Sequence, residues 1–434
     1  MKRDYKKKGL LLFTLLLVLA LGGCGKKGTE AASNEGVEAT VTAEPTQPEE
    51  TATPTEEPAD TPTPTPEPTK ALKPQADASL SDDLYQFQVA INGDVYTLPM
   101  TFEKFVSYGW EYQGDGTQTL SPGYYLAAEV FEKDGLQIYA DIINMGMNVE
   151  AMSDCIIAGL NMDKFMVDDN DVTITFAKGI EYGVSTIEDI KNAYGTPTDT
   201  YEGELYTKLT YELDSYQQVE FCVDAETKTL NEFEIENFTE TEETASTSSE
   251  VSDEVPEIVS KYVVPTALGD DFGRCIVEYA GNLYQLPAPV SEFEKNGWTV
   301  IKDESDSVVK AKDFGWVTMM KDNQKLSVIA NNYAENATNI HNCFVTSVEG
   351  DDNGTDLPIT IQKNITRGMT QADLEKALTG TEYEKEDSTS FEYYTFSCGS
   401  GVLDKVEIVV RKDDKIVQKI TVSNSPKTEE LFTY

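Results

Sequence analysis

The chain carries one pattern twice, and this duplication limits the fold more than any other feature. Gly93, Tyr96, Leu98 and Pro99 recur as Gly281, Tyr284, Leu286 and Pro287, and Phe105, Gly109 and Trp110 recur as Phe293, Gly297 and Trp298. Asn144 and Cys155 recur as Asn332 and Cys343, all at one offset of 188 residues. Further on, Thr186, Asp189 and Ile190 match Thr370, Asp373 and Leu374 at an offset of 184, so the second copy is shorter in between. At 434 residues the chain exceeds what one core usually serves. Residues 81–238 and 258–434 are therefore expected to be two repeat units, each long enough to fold around its own core.

Within a unit, apolar residues alternate along short runs. Residues 87–91 and 95–98 turn through Asn92-Gly93-Asp94, a hairpin signal, as Ala280-Gly281-Asn282 does in the second copy. Pro99 and Thr101, or Pro289 and Ser291 with Glu294, are placed to open a helix that closes at Gly109 or Gly297. Strands are predicted over 125–132 and 136–143. A second helix is expected from Ser185 or Thr186 to Gly195, its partner running from Thr370 to Gly380. Strands over 205–213, 219–224 and 230–237 are matched by 391–398, 405–411 and 416–423. Consecutive strands with few helices predict an α+β fold: two tandem repeats of a mainly antiparallel-sheet unit, each with two short helices.

Two segments lack the means to fold. Residues 24–80 contain no aromatic residue before the first unit and are dense in Pro, Thr and Glu, a composition that cannot offset chain entropy and predicts a disordered tether of up to about 170 Å. Residues 239–257 hold seven acidic residues and no basic one, and read as a linker. Ahead of the tether, residues 1–23 have the form of an export signal: Lys2, Arg3, Lys6, Lys7 and Lys8, an apolar run from Leu10 to Leu21, then Gly22-Gly23-Cys24. The run is too short for a comfortable membrane span, which needs about 20 apolar residues. Its ending resembles the lipobox of bacterial lipoproteins. The resemblance implies a signal peptide cut before Cys24, acyl chains such as palmitate on that residue, and a chain anchored in the cell membrane on the extracytoplasmic side, at the cell surface.

Gly183-Val-Ser-Thr-Ile-Glu-Asp-Ile-Lys-Asn-Ala-Tyr-Gly195-Thr-Pro197 resembles the short helix motif of the SmpA/OmlA and β-lactamase-inhibitory-protein-like modules, and Arg367-Gly368-Met369-Thr370 resembles its opening. Those families are small α+β binding or scaffolding modules, which implies a non-enzymatic role. Anchor, Thr/Pro/Glu tether and duplicated unit together resemble surface lipoproteins of Gram-positive bacteria.

Charge narrows the partners. A formal net charge of -43 repels nucleic acid, whose binding needs Lys and Arg on phosphate, and repels anionic lipid, so contact with the membrane falls to the lipid on Cys24. A cationic protein or peptide, or a cell-wall component, fits better. Residues 81–238 hold 7 basic against 30 acidic residues, whereas 258–434 hold 18 against 28, so steering favours the first unit. With one histidine, His341, and no CxxC pair among the six cysteines, most His-based catalysis and a dense disulfide framework are excluded. Cys155 and Cys343 read as buried thiols, and Trp110, Trp298, Tyr96 and Tyr284 as core rather than a sugar platform. Ser307 and Lys310 have Ser-x-x-Lys spacing without its companion motifs. Two acidic turns occupy matching places, and Asp168, Asp169, Asp171, Asp351, Asp352 and Asp356 are candidate calcium ligands, although turn chemistry alone accounts for them. No other cofactor and no catalytic residue is expected. The expected function is a non-catalytic binding or adhesion module on the cell surface. The alternatives are a cell-wall polymer hydrolase using paired carboxylates and a solute-binding lipoprotein.

Overall fold

The computed structural model describes residues 79–167, 172–242, 244–245, 251, 254–351 and 356–431. Cys24, the signal and nearly all of the tether lie outside them, as do Asp168, Asp169, Asp171 and Asp352.

In the first repeat, β1 (Gln88–Ile91) and β2 (Asp94–Thr97) form the expected hairpin, with Asn92 and Gly93 at φ 50° and 87°. That left-handed pair is what an Asn-Gly turn supplies at little steric cost. Helix α1 (Phe102–Ser107) follows, and the Thr101 hydroxyl accepts the Lys104 N–H as its cap. Then come β3 (Tyr125–Lys133), β4 (Leu136–Ile143), β5 (Ile156–Met162), the one-turn α2 (Lys164–Val167) and β6 (Ile174–Phe176). Helix α3 (Ile187–Tyr194) opens on a full capping box between Thr186 and Asp189 and ends at Gly195, φ 86°. The repeat closes with β7 (Asp199–Glu202), β8 (Tyr206–Asp214), β9 (Gln217–Asp224) and β10 (Leu230–Asn237). A large sheet runs in the order β7-β8-β9-β10-β5-β4-β3, and β6, β1 and β2 belong to a small second sheet.

The second repeat starts at a short turn, α4 (Glu257–Ser260), which begins on the last residue of the acidic linker. It repeats the scheme with β11 (Ile276–Tyr279), β12 (Asn282–Gln285), α5 (Val290–Lys295), β13 (Phe314–Lys321), β14 (Gln324–Asn331), β15 (Ser347–Asp351), β16 (Ile359–Ile361), α6 (Gln371–Ala377), β17 (Glu384–Asp387), β18 (Phe391–Ser397), β19 (Lys405–Arg411) and β20 (Ile416–Ser423). Here Pro289 is the residue before α5 and Ser291 sits inside the helix, so the expected serine cap is absent. The long strand β5 has no unbroken counterpart: Phe344–Val345 pairs with β14 and Ser347–Asp351 with β20, which divides one sheet into two. Pairings between described strands are antiparallel, and the fold is mixed α+β, mainly sheet.

Apolar residues between Leu84 and Ile235 form one buried cluster, and those between Phe272 and Val422 form another. Trp110 lies in the first, stacked on Phe105 with ring centroids 5.7 Å apart; Trp298 lies in the second beside Phe293. The two repeats touch through counterpart loops. Val149 N–H donates to the Glu335 carbonyl at 2.9 Å and Ala337 N–H to Asn148 Oδ1 at 2.7 Å. Asn144 and Asn332 brace these loops identically, each donating from Nδ2 to the carbonyl four residues ahead and accepting two residues ahead. No helix among the described residues is long and apolar enough to cross a membrane.

Candidate functional site

Strand alternation sends Phe233 and Ile235 of β10 into the core and leaves Glu232, Glu234 and Glu236 on the opposite face. The register continues the row across neighbours: Glu220 lies opposite Glu234, and Gly159 of β5 lies between Glu236 and Asp141 of β4. Carboxylate oxygens of Asp141, Glu234 and Glu236 all fall within 4.8 Å of one another. Gly159 makes this possible, because a Cβ there would sit 2.2 Å from Asp141 Oδ2.

Fixed partners hold most of these acids. The Ala128 N–H donates to Asp141 Oδ1 at 2.9 Å, from a residue at φ 57° where β3 slips register. Gln218 Nε2 donates to Glu236 Oε2 at 2.8 Å; Glu220 accepts from Lys208 Nζ and Thr210 Oγ1, both at 2.8 Å. No hydrogen bond from a described residue reaches Glu234. Burial, followed by the neighbouring Glu236, Glu220 and Asp141, pushes its carboxyl up to about 7. Burial also raises Asp141, Glu236 and Glu232 above the usual carboxylate range, the last two helped by Asp141 and Asp163 respectively. Tyr125 and Tyr216 flank Phe238 at the end of the row, with centroids 5.3 and 6.0 Å from it. At the other end Glu232 borders a groove of about 540 Å³ that also takes in Phe165, Leu205 and Asp224.

The second repeat supplies an internal control. Asn237 and Asn424 each donate to the carbonyl of the matched Leu98 or Leu286, which aligns β10 with β20. Glu232, Glu234 and Glu236 then correspond to Lys419, Thr421 and Ser423; Asp141 and Gly159 correspond to Ile329 and Ser347. Lys405 pairs with Glu407 and Lys419 with Glu349, both at 2.6 Å. The counterpart strands therefore form without the acidic row, with Ile329 and Thr421 in the two separate sheets of the second repeat.

The other candidates fall elsewhere. Asp356 is ion-paired with Arg367, and Asp351 ends β15 near Gln418. Ser307 and Lys310 flank the short strand Val308–Val309, so they do not share a helical turn. His341 Nδ1 lies 2.8 Å from Glu294 Oε2 in a surface turn. Cys155 and Cys343 are free and buried, and burial pushes each thiol up to about 12. A disulfide does form, between Cys275 and Cys398, two cysteines that the repeat comparison leaves unmatched. Trp316 is the tryptophan that reading for repeats passes over: it stands 56 % exposed opposite Ile329, where the first repeat has Ala128 and Asp141. The acidic row was visible as Glu-x-Glu-x-Glu on a predicted strand, but nothing in a sequence so acidic marked it out from other carboxylates. Comparison with family models, curated proteins and solved structures finds no match for this chain.

Proposed function

We propose that this chain is a lipid-anchored extracytoplasmic surface protein whose first repeat is a non-catalytic binding module for a cationic protein, peptide or wall component. The observation that carries the reading is the partly buried Asp141, Glu234 and Glu236 trio, kept in one repeat and replaced by Ile329, Thr421 and Ser423 in the other. Holding like charges together opposes folding, and the second repeat is folded without them, so a role in binding accounts for the cost. The Cys275 to Cys398 disulfide supports export, since such bonds persist in oxidising compartments. The expected test is adsorption of the purified chain to immobilised polylysine, polyglutamate and a neutral glycan. Polylysine alone should retain it, and the combined Asp141→Asn, Glu234→Gln, Glu236→Gln variant should elute at a lower salt concentration than a variant with three exposed acids of the second repeat replaced; equal elution of the two overturns the reading. Replacing Cys24 by Ser should move the protein from the membrane fraction to the medium.

A second reading has one specific support. Glu234, raised to about 7, beside an acceptor carboxylate is the pairing a glycoside hydrolase uses. Release of reducing ends from wall polysaccharide, abolished by Glu234→Gln, would establish it in place of simple binding.

A further inference from the structure

We propose that the groove between α2 and the β7–β8 hairpin, continued by the Glu232, Glu234 and Glu236 row, seats an extended basic segment of a partner protein. The proposal rests on the cation-facing reading of the first repeat and names its ligand. Two large apolar side chains stand in the groove almost bare, Phe165 at 84 % and Leu205 at 78 % exposure. Around them Asp163, Glu204, Asp224, Glu226 and Glu232 outnumber the one cation, Lys164, which lies 3.7 Å from Asp224. A groove lined by exposed apolar side chains and by acids is complementary to a segment with one apolar and several basic side chains. It disfavours acidic partners and, at a net charge of -43, a second copy of this chain.

Spacing selects the conformation of the occupant. Glu232, Glu234 and Glu236 are two residues apart on one strand, so their side chains leave the same face at intervals of about 6.6 Å. An extended peptide has the same interval, and Lys or Arg at every second position would meet one carboxylate each. On a helix, residues four apart rise about 6.0 Å but turn about 40° round the axis at each step, so a row of three drifts off the face that an extended strand keeps. Beyond Glu236 the Tyr125, Phe238 and Tyr216 rings offer π-faces to a further ammonium or guanidinium group. Lys208 does not block the path, since its amine is held by Glu220 at 2.8 Å. The second repeat has none of this: Lys419 stands in place of Glu232, and the turn between β17 and β18 is Ser388-Thr389-Ser390.

The test compares two labelled peptides of one composition by fluorescence anisotropy on the unmodified chain at low salt. One alternates, Leu-Ser-Lys-Ser-Lys-Ser-Lys, and the other gathers its three lysines together. The alternating peptide should bind at least tenfold tighter. Binding should fall at least tenfold in the Glu232→Gln, Glu234→Gln, Glu236→Gln variant, and several-fold in Phe165→Ser with Leu205→Ser at an unchanged melting temperature. Equal affinity for the two peptides, with the loss on carboxylate replacement retained, overturns the groove proposal and leaves the acidic-face reading standing. Binding that ignores the carboxylate replacements overturns both.

Discussion

Glu234 shows how one position departs from the chemistry of its type. It sits on a sheet face opposite Glu220 on one adjacent strand and Asn161 on the other, with Glu236 and Asp141 close by, and no described donor reaches it. Its carboxyl titrates near 7 in the folded chain against an ordinary 4.5. The folded state thus holds a proton that the unfolded chain gives up between about pH 4.5 and 7. Stability should fall as pH rises through that window and level off above it. Replacement by Gln removes the penalty: Glu234→Gln should be more stable than the parent at pH 7.5 by about 1–3 kcal/mol, with the gap closing by pH 4.5. Urea unfolding at the two pH values checks this; a parent whose stability rises between pH 5 and 7 in parallel with the variant would contradict it.

Elements in the two repeats are built alike where local chemistry dictates them. Helices α3 and α6 both start at a threonine whose hydroxyl accepts an N–H three residues on, from Asp189 and from Asp373. Thr186→Ala and Thr370→Ala should each cost about 1 kcal/mol in denaturant unfolding, and Thr→Ser should restore most of it. Where tertiary contacts dictate, the copies diverge. Phe87 and Cys275 occupy one position, both left-handed with φ 52° and 47°. The first repeat fills that place with a buried ring and the second with half of a disulfide.

At the scale of the whole molecule, each repeat has its own large core among the described residues and the two meet through counterpart loops, so damage to one repeat should stay largely within it. The Cys275 to Cys398 bridge closes a loop with a sequence separation of 123. Loops of that length contribute roughly 2–5 kcal/mol through the unfolded state. Replacing both cysteines by Ala should speed hydrogen exchange in β19 and β20 while leaving β9 and β10 near their parent rates. Equal acceleration in both repeats would mean that the two cores unfold as one.

The duplication, the α+β class, the β1–β2 hairpin, the caps of α1, α3 and α6 and the core roles of Trp110 and Trp298 were legible in the sequence, because each rests on contacts within a few residues or on period-two and helical spacing. The candidate site was not legible. Glu234 and Glu236 are neighbours in sequence, but Asp141 joins them only because β4 and β10 both pair with β5, with Gly159 leaving room between them. The disulfide escaped for the same reason, since its cysteines come together only when the turn over Phe272–Arg274 meets the connection between β18 and β19. Local propensity decided the elements of this protein; strand order, which no local interaction encodes, decided which charges share a face.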